Sequence, residues 1–418
     1  MNFSIRDFDT IKVTSILCFV GVAFFLVAKG LTNAVVIFLG LLALWHLATE
    51  DRDWYVGRSR LFWLMFFCLA APFFCELIVQ LGRGDFKYQS LDGPSRFLLC
   101  VLLFVWLSRK NCDSTVRALK LGSVYGIVLC SMLVYIDRGA YWDDRLANYF
   151  VDPITLPCYL TAMLTLSLFG ESRRLELCKM TFIRFILIVS VIVVAYLSQS
   201  RSAWLCLIFM IFFYVIWSLD PYRKTQFITT TVILGLCVAG YFLSDVIRLR
   251  VDLAVFGVGE FLQNRGFETS TGQRLYLNLL DLHLARISPL WGFADGVLPD
   301  YATLSKEVAW LAPNIYEIKL ASGSHNEMLA QLSRKGLVFG SISLNALYVL
   351  PLYISYSRIR GISDHRMETQ WMLMVFVSVI AVAGLTIQVF NLKMTSSFYG
   401  LCLSILFADI VRRSEKRN

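Results

Sequence analysis

Long apolar runs recur along the whole chain and are separated by short polar connections. A helix needs about 20 apolar residues to cross a bilayer, and most of these runs come near that length. The shortest run covers residues 96–108. The pattern predicts an all-α polytopic membrane protein with about twelve transmembrane helices, near 11–28, 31–48, 61–81, 96–108, 120–136, 153–169, 182–198, 203–218, 227–244, 336–357, 370–390 and 396–411.

Composition and charge narrow this picture. Hydrophobic residues make up 57% of the 418 residues and charged residues only 17%, which excludes a soluble enzyme with one anchor, a secreted domain and a disordered chain. With twelve spans, the tails and connections on the side of the termini hold 22 Lys and Arg residues, and the opposite short connections hold 8. The positive-inside rule therefore predicts cytoplasmic termini. The net charge of +9 is then an orientation signal, and no nucleic-acid partner is expected.

One outward connection, from Asp245 to His325, is much longer than the others. Thr271-Gly272-Gln273-Arg274 leads into a leucine-rich amphipathic helix, which we expect to lie against the membrane. Ser288-Pro289-Leu290-Trp291-Gly292 should end that helix, because Pro and Gly follow it. We therefore predict three regions: nine spans in 1–244, an outward loop region in 245–335, and three spans in 336–418.

Two arginines are candidates for binding an anion at the outer membrane surface. Arg201 lies in a short hairpin, where Ser200 or Ser202 can cap the following helix. A guanidinium beside a helix N-terminus suits a phosphate. Arg274 begins the amphipathic loop helix. The ordinary alternatives are an interfacial arginine that reaches lipid headgroups and a solvated charge on a polar helix face.

Three further residues are candidates. His325 follows the small polar residues 321–324, and an outward histidine in an open turn can act as a general base, although a lone loop histidine is also often structural. Arg265 is a weaker candidate of the same kind as Arg274. Lys335, beside Gly336, could bind substrate or simply anchor the tenth span at the interface.

Nothing in the sequence predicts a metal site, a cofactor or a transport path. The eleven cysteines are scattered and contain no CxxC pair, so they are expected to act as small core residues. Asp143-Asp144 has no histidine at metal-ligand spacing. Glu76 is the clearest ionisable residue within a span, whereas a proton-coupled transporter would carry several paired intramembrane charges.

Taken in order, these motifs resemble the O-antigen ligase family. The resemblance rests on the hairpin at 198–202, on Thr271 to Leu275, on Ser288 to Gly292 and on His325-Asn326-Glu327. Nine residues separate Asn326 from Gly336, as in the family's pattern. The family has a small residue three positions after this glycine. In this chain Phe339 occupies that position, and Gly340 follows it.

The resemblance implies a GT-C-like membrane fold and a glycosyltransferase that needs no metal and no cofactor. Such an enzyme moves an O-antigen glycan from undecaprenyl diphosphate to the lipid A-core acceptor, at the periplasmic face of the inner membrane. The family's two functional arginines correspond to Arg201 and Arg274, and its essential histidine corresponds to His325. Arg265 and Lys335 are candidates for substrate binding on their own residue type and position, and for them an ordinary structural role stays equally open.

Three other functions stay open at this point. An O-antigen polymerase shares the lipid diphosphate donor but uses another lipid-linked glycan as acceptor. Protein O-oligosaccharyltransferases usually carry a larger C-terminal periplasmic region than this chain has. A flippase or transporter of lipid-linked sugars would need charges near the membrane midplane, which the spans scarcely provide.

Overall fold

The computed structural model describes residues 5–49, 55, 57–137, 142, 145–169, 177–218, 223–263, 265–294, 297–360, 368–390 and 392–415. Regular structure in these residues is helical, with a 3₁₀ turn at Gly266–Glu268 and a π-helical turn at Asn345–Val349. The α-helices are α1 (Ile5–Ala23), α2 (Leu31–Thr49), α3 (Arg60–Arg83), α4 (Tyr88–Leu107), α5 (Asp113–Ile136), α6 (Thr155–Leu168), α7 (Leu177–Leu197), α8 (Arg201–Ser218), α9 (Arg223–Leu243), α10 (Asp245–Leu262), α11 (Ser270–Ile287), α12 (Tyr301–Glu307), α13 (Pro313–Ser322), α14 (Glu327–Leu344), α15 (Leu350–Arg360), α16 (Glu368–Gly384) and α17 (Lys393–Glu415).

The predicted all-helical membrane protein is confirmed at this level, since a helix lies at each of the twelve apolar runs. Among the described helices, six are long and apolar enough to cross a membrane: α2, α3, α4, α5, the continuous stretch Glu327–Ile359, and α17. Five shorter apolar helices and a bent pair formed by α9 and α10 account for the remaining runs. The number of twelve spans stays a prediction.

The run predicted at 96–108 was placed too late and too short. Helix α4 begins at Tyr88 and includes Gly93 and Pro94 near its start. Polar residues in its first two turns hid this beginning from the hydrophobic pattern. Arg96 and Asp92 form a salt bridge of 2.6 Å along the helix at the i,i+4 spacing that stabilises such a turn.

Helix α17 occupies the centre of the membrane region. Its most apolar 18-residue window is entirely buried, whereas half or less of the corresponding window is buried in α2, α4 and α5. A helix that is buried on all sides must be surrounded by other helices. Small residues allow their close approach: a Cβ on Gly400 would lie 2.8 Å from the sulfur of Cys100 on α4.

The outward segment folds into a small helical unit with its own apolar core. Tyr276, Leu277, Leu280 and Leu284 of α11 are buried in it together with residues of α12 and α13. The expectation that the leucines of α11 face the membrane is therefore wrong for this buried face, because α12 and α13 cover it.

Helix α10 has an uncovered apolar surface. It bends by 97° away from α9, and its described buried residues include only Gly257. Leu249, Leu253 and Phe256 are exposed. A helix of this kind next to a membrane segment has the character of an interfacial helix.

Candidate functional site

The hairpin before α8 is held in a strained conformation. Gln199 has a φ of 52°, and it is the one non-glycine residue with a positive φ in the described part of the chain. Its side-chain oxygen accepts two hydrogen bonds from the Arg250 guanidinium, at 3.2 and 2.5 Å. Arg145 Nε donates to the carbonyl of Ser198 at 3.0 Å. Such strain persists only where the surroundings enforce it, and here two arginines do so.

Arg201 emerges from this hairpin as the first residue of α8. Ser200, one of the two predicted caps, accepts a hydrogen bond from Ala203 N at 3.4 Å. The Arg201 guanidinium donates to Thr271 Oγ1 at 3.2 Å and to the carbonyl of Arg250 at 3.5 Å. The hairpin is therefore tied to both α10 and α11.

Each residue of the Thr271–Arg274 motif has a defined place. Thr271 accepts the bond from Arg201. A Cβ on Gly272 would lie 2.1 Å from the carbonyl oxygen of Gly266, so only glycine fits against the 3₁₀ turn there. Gln273 donates to the carbonyl of Phe267 at 2.9 Å. These contacts fix the first turn of α11 and hence the position of Arg274.

His325 precedes α14 in a turn that its neighbours hold. Asn326 caps α14 by accepting hydrogen bonds from the N–H groups of Met328 and Leu329, at 3.0 and 3.2 Å. On the other side, Ser324 contacts Lys319, which also pairs with the buried Asp281. His325 itself is partly buried, and within the described residues none of the hydrogen bonds uses its ring.

Arg201 acts electrostatically on Arg274, and Arg274 in turn acts on His325. Burial lowers the pKa of Arg274, and the charges of Arg201 and Arg145 lower it further, with Asp152 opposing them. Burial also lowers the pKa of His325, Arg274 lowers it too, and Asp152 again acts in the opposite direction. The lowered pKa of His325 favours the neutral imidazole, which is the form that can accept a proton.

We call Arg145, Arg201, Arg250 and Arg274 the arginine cluster. Burial and the charge of Arg250 lower the pKa of Arg145, so cluster members repel one another. Asp152 is the nearby carboxylate, and it is already engaged by the N–H groups of Ile154 and Thr155. A partly buried group of guanidiniums with one carboxylate beside it has the charge and the donors that a polyvalent anion requires.

The two weaker candidates lie elsewhere. Arg265 is exposed at the start of the 3₁₀ turn. Lys335 is not an interfacial anchor, because it is buried and its amine lies 3.5 Å from the Glu76 carboxylate. This pair borders a cavity between α3, α4 and α14, which we call the α3–α14 cavity. Neither residue is among the charges that act on Arg274 or His325.

The motif Ser288–Gly292 has a structural explanation that the sequence did not indicate. Gly292 and Gly336 both have positive φ values, 61° and 72°, and they lie against each other's backbone. A Cβ on Gly292 would be 2.5 Å from Gly336 N, and one on Gly336 would be 2.5 Å from the carbonyl of Pro289. Phe339, which departs from the family pattern, stacks on Trp291 with ring centroids 5.8 Å apart.

Sequence reasoning missed four charged residues of the site: Arg145, Asp152, Arg250 and Lys319. Arg145 was counted only as an outward charge, and Arg250 lies in a stretch that looked mixed. Asp143 and Asp144, considered as metal ligands, lie outside the described residues. Within the described part, no group of three or more His, Cys, Asp or Glu side chains is placed to hold a metal ion.

Comparison with known families agrees with the resemblance seen in the motifs. Residues 185–344 match the Wzy_C family model, which is described as O-antigen ligase. The match covers 160 of the 418 residues and shows what this part of the chain is similar to. No curated protein matches the chain. The matched segment includes the hairpin, α11 and the His325 turn, while Arg145 and Asp152 lie before it in the sequence.

Proposed function

We propose that this protein is an O-antigen ligase of the bacterial inner membrane. It would transfer O-antigen polysaccharide from undecaprenyl diphosphate to the lipid A-core acceptor, with inversion at the anomeric carbon and without a metal ion. The observation that carries the proposal is the placement of His325 beside the arginine cluster, whose member Arg274 acts on it electrostatically. The match of residues 185–344 supports this broad class of enzyme.

The arginine cluster would bind the diphosphate of the donor. Arg201 and Arg274 belong to α8 and α11, and the bond from Arg201 to Thr271 holds them together. Negative charge accumulates on the diphosphate as the glycosidic bond breaks, and fixed guanidiniums stabilise that charge as a metal ion does elsewhere. Arg145 and Arg250 would hold the hairpin in place and add to the positive potential.

His325 would act as the general base. The hydroxyl of the acceptor sugar attacks the anomeric carbon, its proton passes to the imidazole, and the bond to the diphosphate oxygen breaks. Undecaprenyl diphosphate leaves with the bonding electrons, and the imidazolium later loses its proton to water. The lowered pKa of His325 keeps the ring neutral and ready to accept.

The proposal includes the arrangement in the membrane. Twelve spans with cytoplasmic termini, in a GT-C-like fold, would place α10 to α13 and the His325 turn at the periplasmic face. The exposed apolar side of α10 would rest in the outer leaflet, beside the hairpin that it helps to hold. Donor and acceptor are both lipid-anchored, so a site at this surface would meet both by lateral diffusion.

Deletion and reconstitution test the proposal. A deletion strain should lose long-chain lipopolysaccharide and accumulate polymerised glycan on undecaprenyl diphosphate. Purified protein in EDTA should transfer that glycan to lipid A-core. Accumulation of single repeat units would instead identify a polymerase, and strict dependence on a divalent ion would refute the mechanism.

A further inference from the structure

One side of α11 carries polar residues over about two turns. Arg274, Asn278 and Asp281 follow one another at spacings of four and three residues, which places them on the same side of a helix. Asp281 is fully buried and lies about 10 Å along the helix axis from Arg274, because each residue adds about 1.5 Å. One rigid helix therefore carries both a member of the arginine cluster and a buried carboxylate.

Asp281 is joined to the His325 turn through Lys319. The Lys319 amine contacts one carboxylate oxygen of Asp281 and the hydroxyl of Ser324, the residue directly before His325. The side chains of Asp281, Lys319 and Ser324 are all buried. The second carboxylate oxygen of Asp281 is buried too and, within the described residues, accepts no hydrogen bond. A chain of contacts therefore runs from α11 through α13 to the histidine turn.

Side-chain contacts, rather than packing alone, hold the first half of this turn. Gly323 ends α13 with a φ of 70° and a ψ of −154°, a combination that is essentially confined to glycine. A cavity of about 190 Å³ borders the turn and is lined by Lys319, Gly323 and Gln388, among others. Open space on this side leaves the bond from Lys319 to Ser324 to fix the chain before the histidine, as Asn326 fixes it afterwards.

The buried pair of Lys319 and Asp281 needs an explanation other than stability. A buried ion pair adds little net stability compared with apolar residues of similar volume, because both charges lose their hydration. A charged donor does fix the direction of the group that it binds. Lys319 also acts on the ring itself: burial lowers the pKa of His325, Arg274 lowers it further, Asp152 raises it, and Lys319 lowers it.

We propose that Lys319 is a positioning residue for His325. Held by Asp281, it fixes Ser324 and thereby the direction in which the next residue presents its imidazole to the acceptor hydroxyl. Because Asp281 and Arg274 belong to one helix, α11 sets the distance between the anion-binding guanidinium and the base. This inference rests on the proposed function, in which His325 accepts the proton.

Ser324→Ala tests the positioning without breaking the ion pair. The melting temperature in detergent should be unchanged, and kcat for glycan transfer should fall by about 10- to 100-fold, because a small displacement of a reacting group is costly. The KM for the lipid-linked donor should stay the same, since the arginine cluster is intact. Ser305→Ala removes a hydroxyl on α12 and should change none of these values. A normal kcat in Ser324→Ala, or a loss that merely follows a loss of folded protein, would overturn the proposal.

The double variant Asp281→Asn with Lys319→Met tests the effect on the ring. It removes both buried charges, so neither is left unpaired. The acid limb of the kcat/KM profile should move to higher pH, because a charge that lowers the pKa of His325 is gone. Modification of His325 by diethyl pyrocarbonate at a series of pH values, followed by mass spectrometry, measures the same pKa without the reaction. Lys306→Met, at an exposed cation on α12, is the control. An unchanged or lower pKa in the double variant would contradict the proposal.

The two proposals can fail separately. If the wild-type protein transfers glycan but Ser324→Ala keeps a normal kcat, the role of Lys319 is wrong and the ligase function stands. If the wild-type protein transfers no glycan but the double variant raises the pKa of His325, the ligase function is wrong and the action of Lys319 on His325 stands.

Discussion

The arginine cluster and the α3–α14 cavity both hold charges in partly or fully buried positions, but they differ in how far these charges are neutralised by carboxylates. In the cluster, guanidiniums face one another and share one nearby carboxylate, Asp152. In the cavity, Lys335 is paired with Glu76, and Arg83 is paired with Asp85 at 2.8 Å. Positive charge without a matching carboxylate suits an anionic ligand, whereas paired charges hold helices together. The same type of substitution should therefore affect activity in one region and stability in the other.

The largest expected effect is that of His325→Ala. Loss of a general base lowers a rate by about 10²–10⁴. The protein should remain folded, because no hydrogen bond of the described residues uses the ring. Initial rates of glycan transfer and thermal unfolding measure the two effects. His283→Ala removes a histidine that pairs with Glu307 at 3.2 Å on the surface, and it should retain near-normal rates. Equal losses in both variants would contradict the assignment of the base.

In the cavity, Lys335→Met should act on stability. It leaves the carboxylate of Glu76 buried without its cation, which typically costs about 3–5 kcal/mol. The apparent free energy of unfolding in detergent measures this loss, and adding Glu76→Gln should recover most of it. As a control, Lys393→Met breaks an exposed pair with Asp92 and should cost less than about 1 kcal/mol. A stable Lys335→Met protein would show that the pair is not a structural contact.

In the cluster, Arg274→Gln should act on catalysis. Removing one donor to a developing anion typically costs about 2.7–4 kcal/mol of barrier, or about 10²–10³ in rate. The melting temperature should stay the same or rise, because repulsion from Arg201 and Arg145 disappears. Arg286→Gln changes an exposed residue on the same helix and serves as the control. A destabilised Arg274→Gln protein with normal residual activity would reverse the distinction between the two regions.

The smallest expected effect is a change in pH dependence. Activity should fall as the pH decreases through the pKa of His325, which lies below the ordinary value of about 6.5. Asp152 stabilises the imidazolium, so Asp152→Asn should lower this pKa and move the acid limb of the kcat/KM profile to lower pH, by less than about one unit. Asn still accepts the N–H bonds at the start of α6. Asp300→Asn, at a similar helix cap on α12, should leave the profile unchanged. A shift to higher pH would contradict the sign.

The helices were predictable because the apolar periodicity of a membrane protein is strong and local. The start of α4 was not, because its first two turns contain polar residues, including the paired Asp92 and Arg96, that the apolar pattern does not mark. The apolar face of α11 was visible in the sequence, but whether lipid or α12 and α13 cover it depends on tertiary packing. Lys335 and Glu76 were each noticed, and their pairing across 259 positions could not be.

The site was predictable in part. Arg201, Arg274 and His325 were found through motif order, and the structure places them in one electrostatic environment. Arg145 and Arg250 were missed because of the kind of contact they make. Arg145 binds the backbone carbonyl of Ser198, and Arg250 binds the side chain of Gln199. No sequence motif marks such contacts. Ser288–Gly292 was recognised as a helix end, but its contact with Gly336 required the fold.

The two carbonyls that Arg83 binds lie 208 and 251 positions further along the chain, in Trp291 and Arg334. During synthesis the end of α3 is therefore completed only after α14 has emerged. Until then Gly292 also lacks its contact with Gly336, and the outward helices lack the surface of α14 to pack against. We expect a chain released by premature termination before residue 336 to expose these surfaces and to be recognised by membrane proteases. Exchange of the outward segment between related enzymes should accordingly succeed only when the first half of α14 is exchanged with it.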